Sequence, residues 1–421
     1  MMQHWDDPIA SVRGASKRAP DATPPAVRVA ALRQVDTEFE AADQLVALRS
    51  APALSPVPPP PVLGGLGATG LGHPAQAVTP AAPLTLGVKP VNPEDKRVIN
   101  GHTDINQLAP FKYPWAWKYF INANKNHWTP LDINMTQDVQ DYHHKLTVEE
   151  RHVYENVLSY LTTSDILAMR NIGLAVMEKM SAPELQIYQA RQVYEEALHT
   201  WTYQHCIETI GLNQGEIYNR YRVVPAIHYK IQVANRRLSS VLRPDIDLHD
   251  PAELRNFVMA YLFFAAVFEG CWFYNGFSPI FALQRRGLMK GTAEQLQYIM
   301  RDEVMHCSFG IRVVRQIMAE ENITPGADEL RSMWDEALEA ESGYARYILR
   351  DPILGYSADH HIQQFKFIAN RRAKQAGLEE PFPGAENALP WLDEQANLRK
   401  EKNFFETRVT EYQTGGALSW D

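Results

Sequence analysis

Two segments of this 421-residue chain place a glutamate three residues before a histidine, in otherwise apolar surroundings. The pairs are Glu196 with His199 and Glu303 with His306. On an α-helix, side chains three positions apart project from the same face. Each pair therefore directs a carboxylate and an imidazole to one point, where a metal ion could bind. One such pair alone is weak evidence, because solvated helix faces carry the same residues.

Two further acidic residues complete a set of six candidate ligands. Asp165 and Glu269 each lie in the helical segment that precedes one of the pairs. Such a set is typical of dinuclear carboxylate centres in helix bundles. Asp165 has an alternative interpretation as part of a polar helix face, because Thr162–Ser164 precede it. Glu269 lies in an almost wholly apolar stretch, where a buried carboxylate needs a partner.

The chemistry of these ligands restricts the metal. Oxygen and nitrogen donors without thiolate favour iron or manganese over copper(I) or structural zinc. Tyr203 follows His199 by four residues and lies on the ligand face, although an ordinary buried phenol explains it equally well. Asp302 adjoins Glu303, and we expect it to accept a hydrogen bond from the second ring nitrogen of a ligand histidine.

The elements that carry these residues are predicted to be helices. Thr147 and Glu150 form a capping-box pattern that starts one helix, which runs to about Met180. Pro183 opens the next helix, which ends at Gly211. Further helices are predicted at about 216–240, 252–286, 292–322, 326–349 and 358–376. Because no strand-like alternation occurs, the fold class is all-α, a bundle of long helices.

Composition excludes several classes of protein. The chain has 41 basic and 50 acidic residues, a net charge of −9, which argues against nucleic acid as a partner. The three cysteines form no metal or redox motif and are expected to be small buried side chains. They suit a reducing compartment, and no signal peptide is visible, so we expect a cytoplasmic protein.

One stretch, Phe257–Leu283, is long enough to span a membrane. Glu269 lies at its centre, where a charge is unfavourable in lipid. The core helix of a bundle is apolar on all sides for a different reason. We therefore expect a buried helix and no membrane association.

Three regions follow from composition. Residues 1–92 are rich in Pro, Ala and Gly and predict a disordered extension, since they cannot bury enough apolar surface to order themselves. Residues 93–400 form the helical domain. Residues 401–421 predict a mobile tail.

The ligand set and its surroundings closely resemble the small, radical-generating subunit of class I ribonucleotide reductases. The resemblance covers roughly residues 97–412 and includes the signature Arg301–His306 (RDEVMH) and Trp128 within HWTP. It implies a ferritin-like bundle with extra helices, two iron ions with manganese as an alternative, a homodimer, and a large-subunit partner.

The resemblance also implies a mechanism. Reduced metal ions react with dioxygen and oxidise Tyr203 to a stable radical, which the large subunit uses to reduce ribonucleoside diphosphates. The residues implied to form the apolar pocket around the radical are Phe273, Phe277 and Ile299. The residues implied to relay the radical are His199, Asp302, Trp128 and Tyr412. The tail would dock on the large subunit through Leu418 and Trp420.

Two other functions share parts of this pattern. A ferritin-like dimetal oxidase acting on a small molecule would use the same six ligands. It would not need Trp128 and Asp302 together with a tail that carries Tyr412. Iron-storage proteins use chains of about one four-helix bundle, and this domain is longer. Tyr rather than Phe at position 203 argues against the subgroup that stores its oxidant on a manganese–iron centre.

Overall fold

A computed structural model describes residues 93–101, 112–124, 127–243, 245–353 and 355–392. The predicted extension (1–92) and tail (401–421) lie outside the described residues. The same holds for three residues of the tail to which a role was assigned, namely Tyr412, Leu418 and Trp420. The domain boundaries therefore remain predictions.

The described residues form helices, as the sequence predicts, and their only β-type pairing is an isolated bridge between Ile353 and Tyr356. The helices are α1 (Pro114–Ala123), α2 (Thr136–His144), α3 (Val148–Asn171), α4 (Pro183–Ile210), α5 (Gln214–Val223), α6 (Pro225–Ser239), α7 (Pro251–Leu262), α8 (Ser278–Arg285), α9 (Lys290–Glu320), α10 (Ala327–Ile348) and α11 (Ala358–Gln375). A π-helical segment, Phe263–Phe273, continues α7, and we call it the π-segment.

The predicted start of α3 and both predicted ends of α4 are confirmed, whereas α3 ends at Asn171 and π-helical and 3-10 turns continue the run to Lys179. The Thr147 hydroxyl accepts the Glu150 amide, and the Glu150 carboxylate accepts the Thr147 amide at 3.0 Å, so α3 begins with the expected capping box. Pro183 is the first residue of α4, and Gly211 ends it with a φ of 80°. These signals define the two helices that carry Asp165 and the first Glu-x-x-His pair.

One expectation about helices is wrong, and two helices were not predicted. The helix predicted at 216–240 is two helices, because Val224 is extended and Pro225 starts α6. Proline removes a backbone donor and disfavours helical geometry in the residue before it. Sequence reasoning also missed α1, although Pro114 marks its first turn, and α2.

The apolar stretch of the sequence forms the centre of the bundle. One helical run, Pro251–Arg285, is long and apolar enough to cross a membrane, and its most apolar window is wholly buried inside the fold. This burial agrees with the interpretation as a core helix. The three cysteines are also buried and free, as expected.

Small residues bring the π-segment and α9 unusually close. A Cβ added at Gly310 would lie 2.6 Å from the Cβ of Ala265, and one at Gly270 would lie 2.7 Å from the Sγ of Cys307. Side chains larger than hydrogen cannot occupy either point without a shift. This close approach places Glu269 opposite the second Glu-x-x-His pair.

We predict that Gly310→Ala lowers the free energy of unfolding by about 1–3 kcal/mol, because the new methyl group overlaps Ala265. Urea unfolding measures the change. Gly343→Ala is the matched control. Gly343 is an exposed glycine in α10 with nothing within 4 Å of the added Cβ. There the helix propensity of alanine should raise stability by roughly 0.5–1 kcal/mol. Equal effects at the two positions would contradict the close-contact explanation.

Candidate metal centre

The structure brings all six predicted ligands together at the centre of the bundle. Their donor atoms form two groups of four, within which all atoms lie within 4.8 Å of one another. The first group is Asp165, Glu196, His199 and Glu303, and the second is Glu196, Glu269, Glu303 and His306. Because both groups contain Glu196 and Glu303, these two carboxylates can bridge two metal positions. We call these the first and the second metal position.

Four helical elements supply the ligands. Asp165 lies in α3, the first pair in α4, Glu269 in the π-segment, and the second pair in α9. All six side chains are at most 1% exposed. Packing of α3 on α4 and of the π-segment on α9 brings the elements together in two pairs. Each pair contributes one single carboxylate and one Glu-x-x-His.

The inward-facing donor atoms lack hydrogen-bond partners among the described residues. Both carboxylate oxygens of Asp165, Glu196 and Glu303 and the Nδ1 atoms of both histidines are buried and unsatisfied. Unsatisfied buried polar atoms are rare, because each one loses its hydration without replacement. Cations would satisfy all of them at once. The oxygen and nitrogen donors fit two divalent iron or manganese ions.

The two imidazoles face the shared carboxylates. The Nδ1 of His199 lies 3.3 Å from Glu303 Oε1 and 3.6 Å from Glu196 Oε2. The Nδ1 of His306 lies 3.2 Å from Glu196 Oε1 and 3.5 Å from Glu303 Oε2. The same nitrogen of each ring therefore points to the space between the bridging residues.

Burial and neighbouring charges shift the pKa values of several side chains at this centre. Burial, followed by the charge of Glu196, raises the pKa of Asp165 well above its ordinary value. Burial likewise raises the pKa of Glu269. Burial alone would lower the pKa of His199, but its hydrogen bond to Asp302 and the nearby carboxylates of Glu196 and Glu303 raise it. The acids therefore resist carrying full negative charge together unless a positive charge lies among them.

The second ring nitrogens bind acids from the opposite helix. His199 Nε2 lies 3.1 Å from Asp302 Oδ2, as predicted for Asp302, and His306 Nε2 lies 2.8 Å from Glu195 Oε2. Sequence reasoning missed Glu195. The available signal was that Glu195 precedes Glu196 as Asp302 precedes Glu303. Each acid accepts a hydrogen bond from an Nε2–H group, and this arrangement leaves Nδ1 free for a metal.

Two further polar residues of α4 contact Glu195 and the candidate ligand Glu269. Arg191 donates to Glu195 at 3.0 Å, and Gln192 donates to Glu269 at 2.7 Å. Neither residue was identified from the sequence. The i,i+4 spacing of Arg191 and Glu195 was an available signal, whereas Gln192 contacts Glu269 on another helical element. Arg191 thereby orients Glu195, and Gln192 orients the candidate ligand Glu269.

Trp128 joins the same network. Its indole Nε1 lies 3.4 Å from Asp302 Oδ2, the oxygen that also faces His199. The indole stacks on Tyr298 with ring centroids 5.3 Å apart. Of the four predicted relay residues, the structure brings together His199, Asp302 and Trp128, and Tyr412 is outside the described residues.

Tyr203 lies wholly buried, and its hydroxyl has no hydrogen-bond partner among the described residues. Burial, and then the charges of Asp165 and Glu303, raise the pKa of Tyr203 well above its ordinary value. The three predicted pocket residues, Phe273, Phe277 and Ile299, are also completely buried. Their placement around Tyr203 remains a prediction.

Comparison with known proteins identifies relatives of this chain. The family model described as "Ribonucleotide reductase, small chain" matches residues 105–389. The ribonucleoside-diphosphate reductase subunit beta of Chlamydia pneumoniae is 37% identical over 339 residues, covering 79% of this chain and 97% of the relative. The small subunit from Dictyostelium discoideum is 29% identical and covers 76% of this chain and 90% of that protein.

A solved structure shows the same fold. The ribonucleotide reductase R2 subunit from Clostridium botulinum matches with a TM-score of 0.63 at 24% identity, covering 72% of this chain and 94% of that chain. The all-α, ferritin-like fold expected from the sequence is thereby confirmed. Since the family model spans more than half of the chain, the chain belongs to the small-subunit family of class I ribonucleotide reductases, which are oxidoreductases.

Proposed function

We propose that this small subunit binds two metal ions through its six buried ligands and generates a stable radical on Tyr203 for use by the large subunit. The observation that carries the proposal is the pair of four-residue groups that share Glu196 and Glu303. The Asp165 carboxylate of the first group also acts electrostatically on the buried Tyr203 phenol. The proposed ligands are Asp165, Glu196, His199, Glu269, Glu303 and His306. Two iron ions are the proposed cofactor, and the same donors suit manganese.

Two reduced metal ions would supply the oxidising chemistry with dioxygen at this centre. The protein's own part is to hold the donors and exclude water. Asp302 and Glu195 hold the two imidazoles with Nδ1 inward. The buried surroundings keep solvent and reductants away from the centre and from Tyr203.

Removal of an electron from Tyr203 must be accompanied by loss of its phenolic proton. Burial and nearby carboxylates raise the pKa of Tyr203, so the phenol stays protonated before oxidation. Asp165 is the acidic residue with the largest electrostatic effect on Tyr203. We therefore propose that the Asp165 carboxylate helps to keep the phenol protonated before oxidation.

The radical equivalent leaves through the network that joins His199, Asp302 and Trp128. These three side chains are connected by contacts of 3.1 and 3.4 Å at one carboxylate oxygen. Tyr412 in the tail is the proposed next member. The hydrogen bond between Trp128 and Asp302 supports this role over a small-molecule oxidase, which needs no exit from the metal centre.

As a ribonucleotide reductase small subunit, the chain acts with a large subunit. We propose ribonucleoside diphosphates as substrates of the complex, because several relatives are named ribonucleoside-diphosphate reductases. We also propose a homodimer in the cytoplasm. Tyr194 and Trp201, seven residues apart on α4, are 55% and 44% exposed and provide apolar surface for a second copy.

Tyr203→Phe should abolish ribonucleotide reduction in the presence of the large subunit while leaving metal content unchanged. The phenylalanine lacks the hydroxyl that loses its proton, but fills the same buried space. Turnover and metal analysis measure the two effects. Tyr344→Phe is the control, since Tyr344 is also buried with an unpartnered hydroxyl among the described residues. Wild-type turnover in Tyr203→Phe would remove Tyr203 from the mechanism.

The shared carboxylates predict two kinds of ligand variant. Glu303→Ala should weaken binding at both metal positions, because Glu303 belongs to both groups of ligands. His306→Ala should weaken binding mainly at the second position. Equilibrium titration with Mn²⁺, followed by the electron paramagnetic resonance signal of the free ion, counts the bound ions. Identical losses in the two variants would contradict the bridging arrangement.

A further inference from the structure

A buried arginine contacts the backbone immediately beside one candidate ligand. Arg372 of α11 is 2% exposed, and its Nε donates to the carbonyl of Gly270 at 2.9 Å. Gly270 directly follows Glu269 in the π-segment. Burying a guanidinium is unfavourable unless its donors are used. The bond to Gly270 is therefore a specific use of this side chain at the edge of the metal centre.

The π-segment explains why a donor is useful at that carbonyl. A π-helix bonds each amide to the carbonyl five residues earlier, and an α-helix to the one four residues earlier. Where one returns to the other, the ladder shifts by one residue and passes over a carbonyl. The segment ends at Phe273, and the amide of Tyr274 bonds the carbonyl of Cys271, only three residues earlier, so the hydrogen-bond register changes here. Gly270 directly precedes Cys271, and its carbonyl accepts a hydrogen bond from Arg372 of another helix.

We propose that Arg372 is a positioning residue that holds the π-register of this segment and thereby keeps the Glu269 carboxylate at the second metal position. The proposal rests on the assignment of Glu269 as a metal ligand. A change of register by one residue rotates a side chain by about 100° around the helix axis. Loss of the π-register would therefore turn Glu269 away from Glu303 and His306.

The surroundings of Gly270 leave no space for a side chain at this position. A Cβ at position 270 would lie 3.0 Å from Arg372 Nε and 2.7 Å from Cys307 Sγ. Cys307 follows His306, a second candidate ligand. One point thus joins α11, the π-segment and α9.

The arginine is itself held in place from its own helix and from the π-segment side. Its Nη1 donates to Gln375 Oε1 at 3.1 Å, and its guanidinium lies over the ring of Tyr274, 5.4 Å from the centroid. Its direction is therefore defined by contacts that lie outside the candidate metal ligands.

Hydrogen–deuterium exchange of the metal-free, full-length protein tests the proposal. Arg372→Met should accelerate exchange of amides in residues 263–277 by about tenfold, because a charged hydrogen bond that holds the register is lost. Arg371→Met is the matched control. It removes a guanidinium from the next position of α11, where the group lies over the ring of Phe367. Exchange in that variant should match the wild type.

Mn²⁺ titration gives a second readout. Wild type and Arg371→Met should bind two ions per chain, and Arg372→Met should lose only the second. The proposal would be overturned if Arg372→Met showed wild-type exchange and bound two ions. It would also be overturned if exchange in Arg372→Met were accelerated uniformly along the chain and both ions were lost in proportion. Failure of the wild type to bind two ions would reject the metal assignment, while the exchange comparison would still test whether Arg372 holds the π-segment.

A second variant keeps the test decisive if Arg372→Met does not fold. Arg372→Lys retains the positive charge but moves the donor away from the Nε position. We expect local acceleration of exchange in residues 263–277 relative to Arg371→Lys. Wild-type exchange in Arg372→Lys would show that charge alone is sufficient and would overturn the positioning role of the Nε bond.

Discussion

The burial of four carboxylates around one point is the constraint on which this structure depends. Asp165, Glu196, Glu269 and Glu303 lie away from solvent, with most of their oxygens unsatisfied among the described residues. Negative groups that share a dry site repel one another, and burial raises the pKa of Asp165 and of Glu269. Two metal ions held by these residues would balance this charge, so the cluster is a candidate metal-binding site and not a stabilising core.

The rest of the bundle is arranged to hold that cluster. Close contacts at Gly270 and Gly310 bring the π-segment against α9. The hydrogen bonds of His199 with Asp302 and of His306 with Glu195 connect α4 with α9. Asp302 and Glu195 are the two acids that accept hydrogen bonds from the histidines. Both orient an imidazole, and Asp302 in addition contacts Trp128, which lies nearer the surface. Under the proposed function, the network that orients the candidate metal ligands would also give the oxidising equivalent a path towards Trp128.

The sequence predicted the parts of this site that depend on local spacing. Helical periodicity predicted the six candidate ligands, and the structure brings their side chains together. The contact of Asp302 with His199 and the capping box that starts α3 were also expected. The π-segment was not predicted, because a change of hydrogen-bond register leaves the apolar pattern unaltered. Arg372 was missed because its partner, the Gly270 carbonyl, lies on another helix, and Glu195 was missed although it precedes Glu196 as Asp302 precedes Glu303. The break at Val224 was missed although Pro225 marks it.

Low-temperature electron paramagnetic resonance of the protein, loaded anaerobically with ferrous iron and then exposed to air, tests the central claim most directly. The protein would be prepared with ordinary tyrosine and with tyrosine deuterated at the β-carbon. Our account predicts an organic radical whose hyperfine splitting collapses on deuteration, and which is absent when Tyr203 is replaced by phenylalanine. Uptake of iron without such a signal, or a signal that deuterated tyrosine leaves unchanged, would contradict the assignment of Tyr203 as the radical site.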